Sequence, residues 1–313
     1  MTAQPKLMRD IFVDAAYQTA LKNRDLFFLS ADFGAKALDA FRRDLPDNFV
    51  FTGIAEQNLV DIGAGLALCG KQVICYAMAP FITARCYEQT KCVIAAMHLP
   101  VTFVAVGVGL GYDHAALTHF TPEDLAIMKA QNGIEILTPC DEESATAMTH
   151  LALEWPAFRY LRLERRPQPP VYHGRFTPEV LEAGCAEVVR GKDVGIVSCG
   201  FLVHKALKAR ELLAAKGIDA GVVDLFRIKP VNAPGLAAIL DRYPALVTVE
   251  EQLLEGGFGS AVTEVMADQG ILKRLKRLGI QDRFVVVNGN RDYLHNLYGV
   301  DTPHIVAAAE ALV

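Results

Sequence analysis

Short apolar runs and helix-period segments alternate along the whole chain. FFLSAD, FVFTG, KQVICYAM, LPVTFVAVGVG, GIEILTP and PAFRYLRLE read as buried strands. Continuous apolar runs of that length, bounded by polar or glycine residues, suit a sheet covered on both faces. Between them, MRDIFVDAAYQTALKN, AEQNLVDIGAGLALCG, ITARCYEQTKCVIAAMH, EDLAIMKAQ and DEESATAMTHLALEW space their apolar residues as helices do. This alternation predicts a mostly parallel, doubly wound sheet. The segment RRPQPPVYHGRF breaks it with three prolines and little apolar content. It reads as a linker, with a domain boundary near residues 166–176. A second alternation follows: VGIVSCG, KALKARELLAAKG, AGVVDLFRIKP, NAPGLAAILDRY, ALVTVEE, GGFGSAVTEVMADQG and RFVVVNG. The pattern predicts an α/β protein of two doubly wound domains, residues 1–168 and a smaller unit at 177–313, joined by 169–176.

Composition narrows the function classes. Of 313 residues, 52% are hydrophobic and 21% charged, which favours folded domains over disorder. The formal net charge of −5 offers no basic surface for a nucleic-acid backbone. No apolar stretch approaches the roughly 18–20 residues of a membrane span, and no signal-peptide core follows the N-terminus. Seven cysteines without a CxxC pair argue against a disulfide framework or a zinc ribbon. No metal site is expected on the chain, no nucleic-acid or membrane partner, and the expected location is cytoplasmic.

Two segments carry candidate chemistry. In Gly53-Ile54-Ala55-Glu56-Gln57-Asn58 a strand ends and a helix begins with a carboxylate in its first turn. Taken alone, Glu56 would simply complement the helix dipole. The loop from Gly109 to Phe120 follows a strand's carboxyl end, where open α/β sheets bind ligands. It presents Asp113, His114, Thr118 and His119, and by itself it would pass for a polar surface loop. The chain has no GxxxxGK[ST] phosphate loop, no GxGxxG between strand and helix, and no GxSxG elbow.

Together the segments resemble a known family. TGIAEQNLVDIGAGLALCGKQVICYAMAPFITARCYEQ is similar to the pyrimidine-binding domain of the transketolase group of thiamine-diphosphate enzymes. The group includes transketolase, 1-deoxyxylulose-5-phosphate synthase and the β subunits of 2-oxo acid dehydrogenases. ADFG, GYDHAALTHFTPEDLAIM, TPCDEESA and YLRLERR occur in the matching order. VDLFRIKP and TVEEQLLEGGFGSAV resemble the group's C-terminal domain.

The resemblance implies thiamine diphosphate as cofactor and gives roles to particular residues. A glutamate at the position of Glu56 bonds the aminopyrimidine nitrogen and favours the imino tautomer, whose imine deprotonates the reactive carbon. Phe81 stacks on the pyrimidine, with Ile82 as the alternative because APFITAR is one residue longer than in some relatives. Arg85 borders the same pocket. His119 contacts the donor ketose, with His114 as its rival, and Asp113 binds a substrate hydroxyl. Asp32 marks the pocket edge. Lys36 stands where transketolases often place a serine for the acceptor phosphate, and it suits a phosphate or sulfonate as a point charge. Arg165, or failing it Arg162, meets the substrate's terminal anion.

The chain lacks the GDG motif through which the family holds the diphosphate and Mg²⁺. The resemblance therefore implies a separate N-terminal transketolase subunit that brings the metal ligands. The expected assembly is an α2β2 heterotetramer with a homodimeric contact, acting on an anionic sugar by ketol transfer. The alternatives are a 1-deoxyxylulose-5-phosphate synthase-like or 2-oxo acid dehydrogenase β subunit, and, in a different class, a non-catalytic scaffold or regulatory subunit.

Overall fold

In the computed structural model, which describes residues 6–31 and 34–313, the first half supplies six parallel strands. They are β1 (Leu26–Ser30), β2 (Phe49–Phe51), β3 (Gln72–Met78), β4 (Val101–Val106), β5 (Glu135–Leu137) and β6 (Arg159–Leu163). The second half supplies β7 (Ala186–Val189), β8 (Val194–Ser198), β9 (Ala220–Asp224), β10 (Arg227–Lys229), β11 (Ala245–Leu253) and β12 (Arg274–Ile280). One sheet runs β10-β5-β6-β4-β3-β1-β2 and the other β12-β11-β8-β9-β7. Among the described residues, only β10 and β7 pair antiparallel to their neighbours. β4 occupies the middle of the larger sheet because all six of its residues are apolar or small enough to be buried. β3 and β4 lie in register from Val73 opposite Val101 to Met78 opposite Val106, which aligns their carboxyl ends.

The helix Glu56–Leu68 packs on this sheet through Gly63. A Cβ there would lie 2.8 Å from Cys75 Sγ and 3.3 Å from Val73 Cγ1. A glycine lets the helix approach the strands closely, and so sets where its first residue, Glu56, sits.

Three segments depart from the predicted pattern. AGVVDLFRIKP feeds both sheets: β9 stays in the second, while β10 crosses to cover the edge of β5, with Arg227 opposite Leu137. ITARCYEQTKCVIAAMH is not one helix. Helix Ala79–Thr83 ends early, and after Cys86 come Tyr87–Gln89 and a π-turn at Thr90–Ala95. RFVVVNG is not a strand. Phe284 and Val286 face solvent, while Val285 packs with Leu110, Phe120 and Leu294. The last strand is the charged RLKRLGI of β12, and a sheet edge tolerates such charges.

The linker is firmly held. Asp141 caps helix Glu142–Glu154 by accepting from Ser144 N at 2.9 Å. Its other oxygen accepts from Val171 N at 2.8 Å and Tyr172 N at 3.1 Å. Tyr172 in turn donates to Asp224 at the end of β9, at 2.7 Å. Among the described residues no helix is long and apolar enough to cross a membrane.

Candidate active site

The carboxyl ends of β1 to β4 open onto one cleft of about 280 Å³, where a parallel sheet presents its ligand site. Ala31 follows β1, Ile54 and Glu56 follow β2, and Met78, Phe81 and Arg85 come from the end of β3 and beyond. His119 arrives from the long loop after β4. Larger grooves lie beside the linker, about 600 Å³, and beside Leu117 and Phe284, about 400 Å³. In the first, the carboxylates of Asp141 and Glu143 are already committed to backbone N–H groups.

Glu56 is 2% exposed. Arg85 Nη1 donates to its Oε2 at 2.5 Å, a charge-assisted bond that satisfies an otherwise costly buried carboxylate. The same guanidinium lies over the Phe81 ring, its carbon 4.3 Å from the centroid. His119 meets Phe81 edge-on with centroids 5.2 Å apart, and Tyr112 lies 5.6 Å from His119 on another side. Arg165 caps Tyr112 at 4.7 Å. Burial, and then the charge of Arg165, push the His119 imidazole below its ordinary value of 6.5. Both effects favour the neutral imidazole, which offers one ring donor and one ring acceptor. Thr118 Oγ1 lies 2.9 Å from its Nδ1.

The loop carrying His119 is shaped by Gly107, at φ +78°. A Cβ there would fall 2.0 Å from Tyr112 Cε2, so the tyrosine ring fits only over a glycine. Thr121 N closes the loop onto Gly109 O at 2.9 Å.

The structure thus gathers Glu56, Phe81, Arg85 and His119, with Arg165 one aromatic ring away. Other candidates lie elsewhere. Ile82 is fully buried in the core on the sheet, so Phe81 alone presents a face to the cleft. Arg162 is no substrate ligand in this arrangement. It is 2% exposed and donates to both Asp124 oxygens, at 2.8 and 3.2 Å, and to Thr138 at 3.1 Å. Asp113 is buried and does not line the cleft. Its Oδ2 accepts from Arg166 at 2.6 Å and from Arg291 N at 3.3 Å. His114 is exposed beside Asp113, outside the cleft lining. Lys36 is exposed on the short turn Lys36–Leu38 after β1. Asp32 lies outside the described residues. Ile54, Met78 and Tyr112 were missed from sequence. Tyr112 alone left a signal, as an aromatic inside the histidine-bearing loop. Among the described residues no cluster of three or more His, Cys, Asp and Glu side chains could hold a metal ion.

At the carboxyl end of a parallel sheet, the cleft pairs a buried carboxylate, Glu56, with an aromatic side chain, Phe81. Residues 4–169 match the transketolase pyrimidine binding domain, and residues 184–305 match the transketolase C-terminal domain. The chain belongs to the transketolase family, whose cofactor is thiamine diphosphate. It is 32% identical over 302 residues to one subunit of the apulose-4-phosphate transketolase of Phocaeicola vulgatus, covering 96% of each chain. It is 32% identical to 1-deoxy-D-xylulose-5-phosphate synthase of Aquifex aeolicus, covering 98% of this chain and 48% of that protein. Its fold matches a solved split-gene transketolase, an inactive β4 tetramer, with a TM-score of 0.85, 30% identity and 98% of each chain covered.

The different surroundings of neighbouring Phe81 and Ile82 predict opposite outcomes. Ile82→Ala should lower stability by about 2–5 kcal/mol in urea denaturation, because it opens a cavity in the core. Phe81→Ala should leave the urea midpoint nearly unchanged and weaken thiamine diphosphate binding, read by titration calorimetry. Matching stability losses for the two variants would contradict this division.

Proposed function

We propose that the chain is the C-terminal subunit of a two-component transketolase. It would move a two-carbon ketol unit from a ketose to an aldose, with thiamine diphosphate held between it and a separate diphosphate-binding subunit. The observation that carries this reading is the meeting of Glu56, Phe81 and His119 in one cleft at the sheet's carboxyl end. Near-complete mutual coverage with a relative that is itself named as one subunit of a transketolase supports it.

The residues fit the cofactor's pyrimidine half. Glu56 supplies a buried acceptor for a ring nitrogen, Phe81 a flat face, and Ile54 and Met78 apolar walls. When bound, thiamine diphosphate supplies the nucleophilic carbon that carries the two-carbon fragment. Glu56 would hold a proton at the pyrimidine nitrogen. His119, at the cleft wall, would bond the donor's carbonyl or adjacent hydroxyl and exchange a proton with it. Arg165, exposed beyond β6, would take a terminal phosphate or sulfonate. The Mg²⁺ ligands would come from the partner subunit, in an α2β2 assembly. A second reading, a 1-deoxyxylulose-5-phosphate synthase-like subunit, has in its favour the equal identity to the Aquifex aeolicus enzyme.

Reconstitution separates these readings. The purified chain should show no turnover with thiamine diphosphate and Mg²⁺. Adding the separately expressed diphosphate-binding subunit should produce ketol transfer from a ketose phosphate to an aldose phosphate. Release of carbon dioxide from pyruvate in that mixture would favour the synthase instead. Full activity of the chain alone would overturn the two-component proposal.

A further inference from the structure

The guanidinium of Arg85 makes two contacts at once: it donates to Glu56 Oε2 at 2.5 Å and lies 4.3 Å from the centre of the Phe81 ring. These are the two contacts that the proposed function assigns to the aminopyrimidine, a bond to the buried carboxylate and a stack on the aromatic face. The chemistry of the two groups is alike. A guanidinium is a flat N–C–N unit with donors on its edge, and a protonated aminopyrimidine presents the same N–C–N edge and a flat face. The Arg85 guanidinium thus contacts both Glu56 and Phe81, where a bound aminopyrimidine would make the same two contacts.

We propose that Arg85 is a built-in occupant of the pyrimidine slot, a positioning residue that keeps Glu56 paired in the cofactor-free chain and is displaced when thiamine diphosphate enters. This rests on the reading of the cleft as the pyrimidine site. Two further observations support it. Glu56 has a side chain only 3% exposed, and among the described residues Arg85 is its only ion-pair partner, so without it the charge would be buried unpaired. Arg85 itself is 39% exposed and sits in the break between Thr83 and Tyr87, outside any helix. Its long stem can swing the guanidinium to solvent without unwinding an element.

The slot therefore selects flat amidine-type cations, and its cofactor affinity is lowered by the fraction of molecules in which Arg85 fills it. If the latched form holds about nine-tenths of the population, apparent affinity falls about tenfold.

The test uses the reconstituted two-chain complex and titration calorimetry with thiamine diphosphate and Mg²⁺. Arg85→Ala should bind the cofactor about tenfold more tightly than wild type. Low millimolar guanidinium chloride should weaken cofactor binding to Arg85→Ala, by refilling the slot, and should not affect wild type. Arg85→Gln keeps a donor toward Glu56 without the charge and should tighten binding by a smaller factor. It carries the test if the alanine variant does not fold. Binding by either folded variant no tighter than wild type, or indifference of Arg85→Ala to guanidinium, would overturn the proposal. A wild-type complex that binds no thiamine diphosphate would remove the pyrimidine-site reading and the latch together. Normal wild-type binding without tightening in the variants removes the latch alone.

Discussion

Glu56→Gln in the reconstituted enzyme should lower turnover about 10²–10⁴-fold, the usual contribution of a positioned acid or base. The substitution keeps side-chain length and volume, so the helix start at Glu56 and its packing through Gly63 are undisturbed. What changes is the charge facing Arg85 and the ability to hold a proton at the cofactor's ring nitrogen. Glu56 touches no sugar in the proposed arrangement, so KM for the ketose should change little while kcat collapses. Glu56→Asp is the sharper variant. It keeps the charge but withdraws the carboxylate by one methylene from a fixed helix terminus, and a displacement of about 1 Å can cost about 10²-fold. Steady-state kinetics with thermal melting as a folding control would check both. Near-normal turnover of folded Glu56→Gln would remove the residue from the reaction.

How much of this was legible in the sequence depends on which residue is asked about. Glu56, Phe81 and His119 were named from motif resemblance, and the structure brings them together because three different strands end at the same edge. The two candidate arginines of RYLRLERR, Arg162 and Arg165, could not be separated that way. Arg162 lies within β6 and points between sheet and helix, where Asp124 waits on another element. Arg165 lies past the strand's end and escapes that burial. Only the tertiary position of Asp124 distinguishes them. Phe81 and Ile82 present the same difficulty on adjacent positions of one helical turn. The crossing of β10 was hidden because the largely apolar segment VVDLFRI, broken only by Asp224 and Arg227, says nothing of which sheet it joins. β12 was hidden by its charges, whose tolerance depends on its lying at an edge.

Arg291→Met should cost about 3–5 kcal/mol in urea denaturation of the intact chain, the largest stability effect expected of a single substitution here. Arg291 joins the two halves of the molecule. It bonds Glu164, just beyond β6, and Glu251, within β11, through four contacts of 2.5–3.0 Å. Phe201 covers its guanidinium at 4.0 Å, and buried His295 also bonds Glu251. Burial opposes the charge on Glu251, but Arg291 and His295 outweigh it and hold the carboxyl below the ordinary carboxylate range. Removing the arginine leaves two buried carboxylates without their main partner. A triple variant, Arg291→Met with Glu164→Gln and Glu251→Gln, removes the charges together and should recover part of the loss. No recovery would mean that Arg291 acts through packing and not through charge. The same residue ties stability to function. Its backbone N–H donates to Asp113 at 3.3 Å, and Gly289 N donates to Asp113 O at 3.3 Å, so the second domain anchors the loop that carries His119. Loosening that junction should raise KM for the ketose in folded variants even though no residue of helix Arg291–Tyr298 lines the cleft. An unchanged KM alongside lost stability would separate the interface from the substrate loop.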